Sequence, residues 1–452
     1  MKASWKSSPI HKHKCIVLKL GITILATALA LRVFLYRSTE FQPQSPLIHQ
    51  TKSTPITKSP ATSFSEPVDA SVDEFSEPTP TFDDEATYKD TDFRSDFDKP
   101  TAEECDLFMG DWIPNPAGPA YTNDTCDIIE QHQNCMKNGR PDSGYLYWRW
   151  KPRNCELPQF NAERFFELMR NKSWALVGDS ISRNHVQSLL CMLSKVEKPV
   201  MFYHDEGYKS KGWHFQSFNL TIYVIWSPFL TEAAIFEDIN GVSDRELELH
   251  LDRLDKQWTE LYNKMDYMIF STGKWFLKGA IYYENSTILG CHYCPKRNLT
   301  ELGFEFAYRR SLRTALNFIA TSGHKGLIFF RTSTPDHFEG GEWFSGGRCD
   351  RTAPFKGGQT KLKDLHKILR TIELEEFESA AAKASQNGVR LKLLDFVQLS
   401  LLRPDGHPGP YRQFYPFAKD KNAQVQNDCL HWCLPGPIDS WNDVIMEMVM
   451  KG

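Results

Sequence analysis

Short apolar runs alternate with segments of helical hydrophobic spacing from about residue 160 to residue 400. The apolar runs end in polar or turn residues and read as strands, at 174–177, 218–230, 266–276, 326–338 and 390–400. Helical spacing of apolar residues occupies 161–170, 181–193, 244–264, 304–321 and 360–385. This alternation predicts an α/β fold whose mostly parallel sheet carries helices on both faces.

The N-terminal part of the chain has a different pattern. Residues 15–36 form the longest apolar run, interrupted only by Lys19 and Arg32. A bilayer-spanning helix needs about 20 such residues, and charges near its ends can reach the interface. The run follows the basic residues 1–14, and no small-residue cleavage site comes after it. We therefore expect an uncleaved transmembrane signal anchor behind a cytosolic tail.

Three regions follow the predicted anchor. Residues 37–100 are rich in Ser, Thr, Pro and acidic residues, which predicts a disordered stem. Residues 101–160 contain four cysteines among turn-forming residues, which predicts a disulfide-stapled, cysteine-rich subdomain. Residues 161–452 hold the strand–helix alternation and are the expected catalytic domain. The net charge of −4 offers no basic footprint for nucleic acid.

Cysteines and glycosylation motifs agree with a lumenal location. Of the 11 cysteines, only Cys15 lies in the apolar run, and an even number beyond a signal anchor is typical of disulfides. Cys291 and Cys294 have no second pair at zinc spacing, so we expect no metal site. N-glycosylation acceptors lie only beyond the run, at Asn123, Asn171, Asn219, Asn285 and Asn298. The expected topology is single-pass type II.

A serine stands where the strand at 174–177 turns into the next helix. The turn is Gly178-Asp179-Ser180, which exposes a hydroxyl at the sheet edge beside backbone N–H groups that can stabilise an oxyanion. A free serine needs a base, and Asp428 and His431 are spaced so that the aspartate can orient the imidazole. Each motif alone is more often an ordinary turn or a surface pair. Their combination points to a Ser-His-Asp triad.

These motifs carry a family resemblance. The chain resembles plant trichome birefringence-like proteins, whose catalytic part belongs to the GDSL/SGNH esterase superfamily. The matching stretches run from about residue 104 to the C-terminus and include "CDLFMGDWIPNP", "VGDSISRNH", "STGKWF", "RTSTPDHFEGGEW" and "DCLHWCLPGPIDSWND". The resemblance implies an SGNH-hydrolase-like three-layer sandwich and a Golgi polysaccharide O-acetyltransferase.

The resemblance also implies roles for individual residues. Ser180 would accept the acetyl group and pass it to a sugar hydroxyl deprotonated by His431, with Asp428 completing the triad. The Ser180 backbone N–H would bind the oxyanion. Arg183 or Asn184 would help, although Arg183 has an equally good reading as a structural ion-pair partner. Gly273 lacks the adjacent asparagine of many superfamily hydrolases, so the remaining oxyanion donor stays open.

Further expectations concern the groove and the disulfides. We expect a glycan groove lined by tryptophans, although each has a stronger reading as a core residue: Trp226, Trp275 and Trp343. Asp336 and His337 read as a structural loop rather than a second acid–base pair. The resemblance implies the bridges Cys105–Cys155, Cys126–Cys191, Cys135–Cys433 and Cys349–Cys429, with a local Cys291–Cys294 pair.

The expected substrate is a cell-wall hemicellulose. Two stretches, "CDLFMGDWIPNP" and "QNCMKNGRPD", resemble the subgroup associated with xyloglucan, so xyloglucan comes first and mannan or xylan next. Two alternatives stay open: an acetyl esterase that uses the same triad, and a non-catalytic glycan-binding protein. No bound cofactor is expected. The acetyl donor, with acetyl-CoA as one source, is either delivered by another membrane protein or already lumenal.

Overall fold

The computed structural model describes residues 105–236 and 245–451. No helix within these ranges is long and apolar enough to cross a membrane. The predicted tail (1–14), anchor (15–36) and stem (37–100) lie outside the described residues and stay predictions.

The described chain contains thirteen strands and seven α-helices. The strands are β1 Asp106–Pro114, β2 Trp148–Arg153, β3 Ser173–Gly178, β4 Val200–His204, β5 Lys211–Phe215, β6 Leu220–Trp226, β7 Thr231–Ala234, β8 Leu247–Leu254, β9 Tyr267–Phe270, β10 Ala280–Glu284, β11 Thr287–His292, β12 Leu327–Arg331 and β13 Arg390–Leu394. The helices are α1 Ala162–Leu168, α2 Ser180–Leu193, α3 Lys256–Tyr262, α4 Gly303–Thr321, α5 Asp364–Gln386, α6 Val397–Leu401 and α7 Asp439–Met450.

A seven-stranded sheet forms the centre, in the order β13-β12-β9-β3-β6-β5-β4. The five strands from β13 to β6 run parallel, and β5 and β4 are antiparallel at one edge. Each of the five predicted segments contains one strand of this parallel part, but the prediction of a strand over 390–400 was too long, because β13 ends at Leu394 and α6 begins at Val397. The expectation of a mostly parallel sheet is therefore confirmed.

Both faces of the central sheet are buried. Side chains alternate along β3, so that Trp174 and Leu176 pack with residues of α1, α2 and α7, whereas Ala175 and Val177 pack with residues of α3, α4 and α5. The two hydrophobic clusters therefore lie on opposite faces. This is a three-layer arrangement of helices, sheet and helices.

One predicted helix was wrong in its first half. The segment 244–264 was expected to be a single helix, but β8 occupies Leu247–Leu254 and α3 begins only at Lys256. Leu247, Leu249 and Leu251 are buried and alternate with partly exposed residues, which is the period of a strand. This strand joins a four-stranded mixed sheet, β11-β10-β8-β7, that the sequence pattern did not predict.

The cysteine-rich region packs into the same core as the catalytic helices. Its strands β1 and β2 pair antiparallel, and Trp112 and Trp150 belong to the hydrophobic cluster that contains α2. Trp112 Nε1 donates to the Leu399 carbonyl at 2.9 Å. The structure forms the four disulfides that the resemblance implies, Cys105–Cys155, Cys126–Cys191, Cys135–Cys433 and Cys349–Cys429, and the expected local pair Cys291–Cys294.

The Cys135–Cys433 bridge should contribute most to stability, because it spans 298 residues of sequence. A cross-link that closes a long loop removes much conformational entropy from the unfolded chain. We expect the double variant C135S/C433S to lose about 2–5 kcal/mol of unfolding free energy in denaturant titrations. The control C291S/C294S opens a bridge of sequence separation 3 and should lose much less. Equal losses would contradict this.

Candidate active site

The turn that carries Ser180 is shaped by a close backbone approach. Gly178, the last residue of β3, has φ +153°, and a Cβ there would lie 2.1 Å from the Ser271 carbonyl oxygen. Only glycine fits this position. Asp179 then caps α2, because its Oδ1 accepts from the Ile181 N–H at 2.9 Å. Ser180 is consequently the first residue of α2, at the carboxyl end of a central parallel strand.

Asp428 and His431 form a hydrogen-bonded pair. The Asp428 Oδ2 accepts from His431 Nδ1 at 2.9 Å, and Oδ1 accepts from the backbone N–H groups of Leu430 (3.1 Å) and His431 (3.0 Å). Burial opposes ionisation of Asp428, but the charge and hydrogen bonds of His431 outweigh it and hold the pKa well below its usual range. The ionised carboxylate therefore fixes the N–H on Nδ1 and leaves Nε2 as a base.

One cavity brings the three predicted catalytic residues together. Ser180, Asp428 and His431 all line a cavity of about 1430 Å³. Nε2 of His431 has no hydrogen-bond partner among the described residues. Hydrogen bonds between nucleophile and base are often formed only when substrate is bound. The cavity is larger than most small-molecule sites, so it has room for both an acyl donor and a sugar.

Asn184 has a role different from the expected one. Its Nδ2 donates to the Trp432 carbonyl at 3.2 Å, and its Oδ1 accepts from the Trp432 N–H at 2.7 Å. The side chain is fully buried and does not line the cavity. The expectation that Asn184 helps to bind an oxyanion is therefore corrected: its amide joins α2 to the residue that follows His431.

Arg183 also lies away from the cavity lining. Its guanidinium carbon lies 4.7 Å from the centre of the Trp226 ring. Burial lowers the pKa of Arg183, and the negative charges of Glu130, Asp179 and Asp205 act against that shift. The contact with Trp226 is a cation–π contact rather than the ion pair named as the structural alternative, so both alternatives for Arg183 stay predictions.

Gly273 shapes the site through its backbone. It has φ +159°, and a Cβ there would lie 2.6 Å from the Ser333 hydroxyl. Its neighbours Thr272 and Lys274 line the cavity, but Gly273 itself does not. Gly273 is therefore not assigned as the second hydrogen-bond donor to the oxyanion.

The three groove tryptophans divide into two groups. Trp275 and Trp343 line the cavity. Trp226 does not, but it packs edge-to-face on Trp275 with ring centres 5.2 Å apart.

Asp336 and His337 occupy a structural loop, as expected. Asp336 lies at the cavity wall and is paired with Lys274, Lys363 and His366. His337 contacts His407, ring nitrogen to ring nitrogen at 2.7 Å. His407 Nδ1 in turn donates to the His431 carbonyl at 2.7 Å.

Sequence reasoning missed two buried charged residues at the cavity: Arg331, which lines it, and Glu373, which lies behind the cavity-lining Ser333. Arg331 ends β12 and donates from Nη2 to the Ser271 hydroxyl at 2.7 Å. Glu373 accepts from the Ser333 N–H at 2.8 Å and from the Tyr308 hydroxyl at 2.5 Å. Arg331 could have been found from the sequence, because a charged residue directly at the end of an apolar strand is a candidate for the site at that end of the sheet. Glu373 lies on a long polar helix and gave none.

Comparison with known proteins identifies the family. Residues 157–448 match the PC-Esterase family, described as a GDSL/SGNH-like acyl-esterase family found in Pmr5 and Cas1p, and residues 103–156 match the PMR5 N-terminal domain. The chain belongs to this acyl-esterase family. In that setting, the serine, histidine and aspartate of the cavity have the residue types of an acyl-transfer triad.

Several plant relatives are similar over most of their length. Protein trichome birefringence-like 23 of Arabidopsis thaliana is 51% identical over 100% of this chain and 99% of its own length. Protein trichome birefringence-like 24 of the same plant is 60% identical over 77% of this chain and 82% of its own length. Xyloglucan O-acetyltransferase 1 of Arabidopsis thaliana is 44% identical over 77% and 80% respectively.

The N184D variant tests whether the hydrogen bonds between Asn184 and Trp432 position His431, with ester hydrolysis as the measured activity. In N184D the Trp432 N–H keeps its acceptor, but an oxygen replaces the donor that faces the Trp432 carbonyl. We expect kcat for hydrolysis of an aryl acetate to fall by about 10–100-fold with little change in KM, because His431 shifts with its neighbour.

The matched control for this experiment is N442D. Asn442 is also buried and bonds to α2 at Ser188 (2.9 Å) and His185 (3.2 Å), but not to the catalytic segment. Both variants should be destabilised, and only N184D should lose kcat at temperatures where both are folded. Equal kcat values would show that Asn184 serves stability alone.

Glu373 should make stability pH-dependent. Burial raises its pKa to about 8, against the opposing hydrogen bonds from Tyr308 and Ser333. The folded protein then keeps this proton between about pH 4.5 and 8, whereas the unfolded chain releases it. Stability contributed by the group is therefore present at low pH and is lost as pH rises through this window.

The variant E373Q cannot ionise and isolates this effect. We expect the unfolding free energy of E373Q, relative to wild type, to increase by about 1.4 kcal/mol per pH unit at most between pH 5 and 8. Urea titrations at three pH values measure the difference. A difference that does not change with pH would show that Glu373 is ionised in the folded protein.

Proposed function

We propose that this protein is an O-acetyltransferase that transfers acetyl to hydroxyl groups of a plant cell-wall hemicellulose. The observation that carries the proposal is the cavity in which Ser180 lies with the hydrogen-bonded pair of Asp428 and His431. Relatives named xyloglucan O-acetyltransferases, 44% identical to this chain, support the reaction type.

The first step forms an acetyl-serine. The Ser180 Oγ attacks the carbonyl carbon of the acetyl donor while His431 Nε2 takes the serine proton. Asp428 stabilises the imidazolium that results, and the Ser180 backbone N–H at the start of α2 supports the oxyanion. When the tetrahedral intermediate collapses, the bond to the donor breaks and the leaving group takes the proton from His431.

The second step transfers the acetyl group. A sugar hydroxyl gives its proton to His431 and attacks the acetyl-serine carbonyl carbon. The new sugar ester forms, the bond to Ser180 breaks, and the serine oxygen recovers the proton. If water attacks instead, the product is acetate, so the same triad supports an esterase whenever water reaches the intermediate.

Xyloglucan is the first acceptor to test, because it is the glycan in the printed names of three relatives. Four relatives are more similar to this chain, at 51–60% identity, and their names state no substrate. Mannan and xylan therefore remain alternative acceptors.

We propose that the reaction takes place in the Golgi lumen. This proposal is supported by the five disulfides of the described residues, which are typical of an oxidising compartment, and by the apolar run 15–36, which is the proposed anchor. The acetyl donor is proposed to be lumenal or delivered by another membrane protein.

The central test is acetylation by wild type and by S180A. The protein is incubated with an aryl acetate as donor and xyloglucan, mannan or xylan oligosaccharides, and mass spectrometry follows the gain of one acetyl group. We expect one glycan to be acetylated and S180A to lose at least a thousandfold in rate, because the nucleophile is absent.

The control variant is S194A, at the other end of α2, where the hydroxyl only donates to the Leu190 carbonyl. It should keep wild-type activity. Acetate release without sugar acetylation would favour the esterase. Unchanged activity in S180A would overturn the triad, and a wild type that neither acetylates sugar nor releases acetate would favour a non-catalytic glycan-binding role.

A further inference from the structure

Three large side chains are unusually exposed at one place. Among the described residues, the most exposed large hydrophobic side chains are Phe344 (73% exposed), Tyr293 (71%) and Trp343 (59%). All three line the cavity that contains Ser180 and His431. Apolar surface exposed together at a binding cavity is typical of a ligand contact, because water solvates such surface poorly.

A tight loop projects Trp343 and Phe344. The Glu342 carbonyl accepts from the Gly347 N–H at 2.8 Å, and the Glu342 N–H donates to the Ser345 hydroxyl at 2.8 Å. A Cβ on Gly347 would lie 2.2 Å from the Gly341 carbonyl oxygen, so the two arms of the loop touch backbone to backbone. The aromatic pair therefore stands on a short, hydrogen-bonded base.

This loop is tied to the catalytic segment. Backbone hydrogen bonds between Glu339 and Arg348 close its base, and Cys349 follows directly with a disulfide to Cys429, the residue after Asp428. The positions of the two rings are thereby coupled to the position of the catalytic pair.

Tyr293 is held by different contacts, a local disulfide and a backbone hydrogen bond. It lies between the bonded Cys291 and Cys294, has φ +46°, and its N–H donates to the Glu301 carboxylate at 2.9 Å. A tyrosine rarely adopts a positive φ, so the surrounding bonds must impose it. The result is a third exposed ring at the same cavity.

We propose that Tyr293, Trp343 and Phe344 form an aromatic mouth that takes the sugar rings of the acceptor glycan and favours transfer of acetyl to sugar over hydrolysis. The C–H faces of pyranose rings are apolar and stack on aromatic rings, while ring hydroxyls remain free for the base. A glycan seated across the mouth excludes water from the acetyl-serine. The proposal rests on the proposed function and names the residues that decide between its two outcomes.

Size and chemistry favour a glycan over other occupants. A small aryl or acyl donor needs only the space near Ser180, whereas a polymer must extend out of the cavity across its rim. Charged and polar residues also line this cavity, including Lys296, Arg297 and Glu342, and they suit hydroxyl groups better than the apolar surface of a protein partner.

The test compares the triple variant Y293A/W343A/F344A with wild type in an assay that separates the two steps. With an aryl acetate, the burst of released phenol reports acetylation of Ser180. The acetyl group is then counted on the oligosaccharide by mass spectrometry and as free acetate. We expect the ratio of transfer to hydrolysis, counted per acetyl-serine formed in the burst, to fall at least tenfold.

A matched control is F414A/Y415A. These two rings are also exposed (56% and 53%) and packed edge-to-face at 4.8 Å, but neither lines the cavity. The control should keep the wild-type ratio. A second readout is acceptor length: wild type should prefer a hexasaccharide to a disaccharide, and the mouth variant should lose that preference.

Each outcome separates the two proposals. An unchanged ratio in the mouth variant, an equal fall in the control, or loss of the burst itself would overturn the aromatic mouth. If the wild-type protein shows the burst but acetylates no glycan, the proposed transferase function fails.

Discussion

The two hydrogen bonds between Asn184 and the Trp432 backbone are the contact on which the catalytic geometry depends. They join residues 248 positions apart in sequence and fasten the helix that begins with Ser180 to the residue that follows His431. Because the amide is buried, leaving either polar atom without a partner would be costly, and the Trp432 backbone satisfies both. One side chain that does not line the cavity therefore links the helix of Ser180 directly to the segment of His431.

The remaining constraints act on the same segment from other directions. Cys429 and Cys433 bond to Cys349 and Cys135, on either side of His431. His407 binds the His431 carbonyl, so the backbone of the base is held as well as its ring. Burying the Asp428 carboxylate is unfavourable by itself, and the three N–H groups directed at it from Leu430 and His431 offset that penalty. A rigid C-terminal segment is the common result.

The sequence predicted what is local and missed what is distant. The parallel strands were visible because apolar periodicity is a local signal, and short local motifs picked out Ser180, Asp428 and His431, which line one cavity. The strand at Leu247–Leu254 was missed because its alternating leucines run into the helix that follows, and together they imitate one long helix. The partners of Asn184, Arg331 and Glu373 lie far away in the chain, and a single sequence contains no trace of such pairs. Disulfide pairing followed from the family resemblance, not from spacing.

Two different parts of the cavity lining serve the two proposed tasks, formation of the acetyl-serine and choice of the acceptor. The proposed formation of an acetyl-serine needs accurate placement of the reacting groups, and the residues proposed for it lie at the start of α2, after β3, and on a segment held by two disulfides. Choice of the acceptor needs a surface that fits a polymer, and Tyr293, Trp343 and Phe344 stand on loops outside the sheet. Transferases and esterases can share the first task completely. The difference between them must then arise in the second, where a bound sugar chain competes with water for the same intermediate.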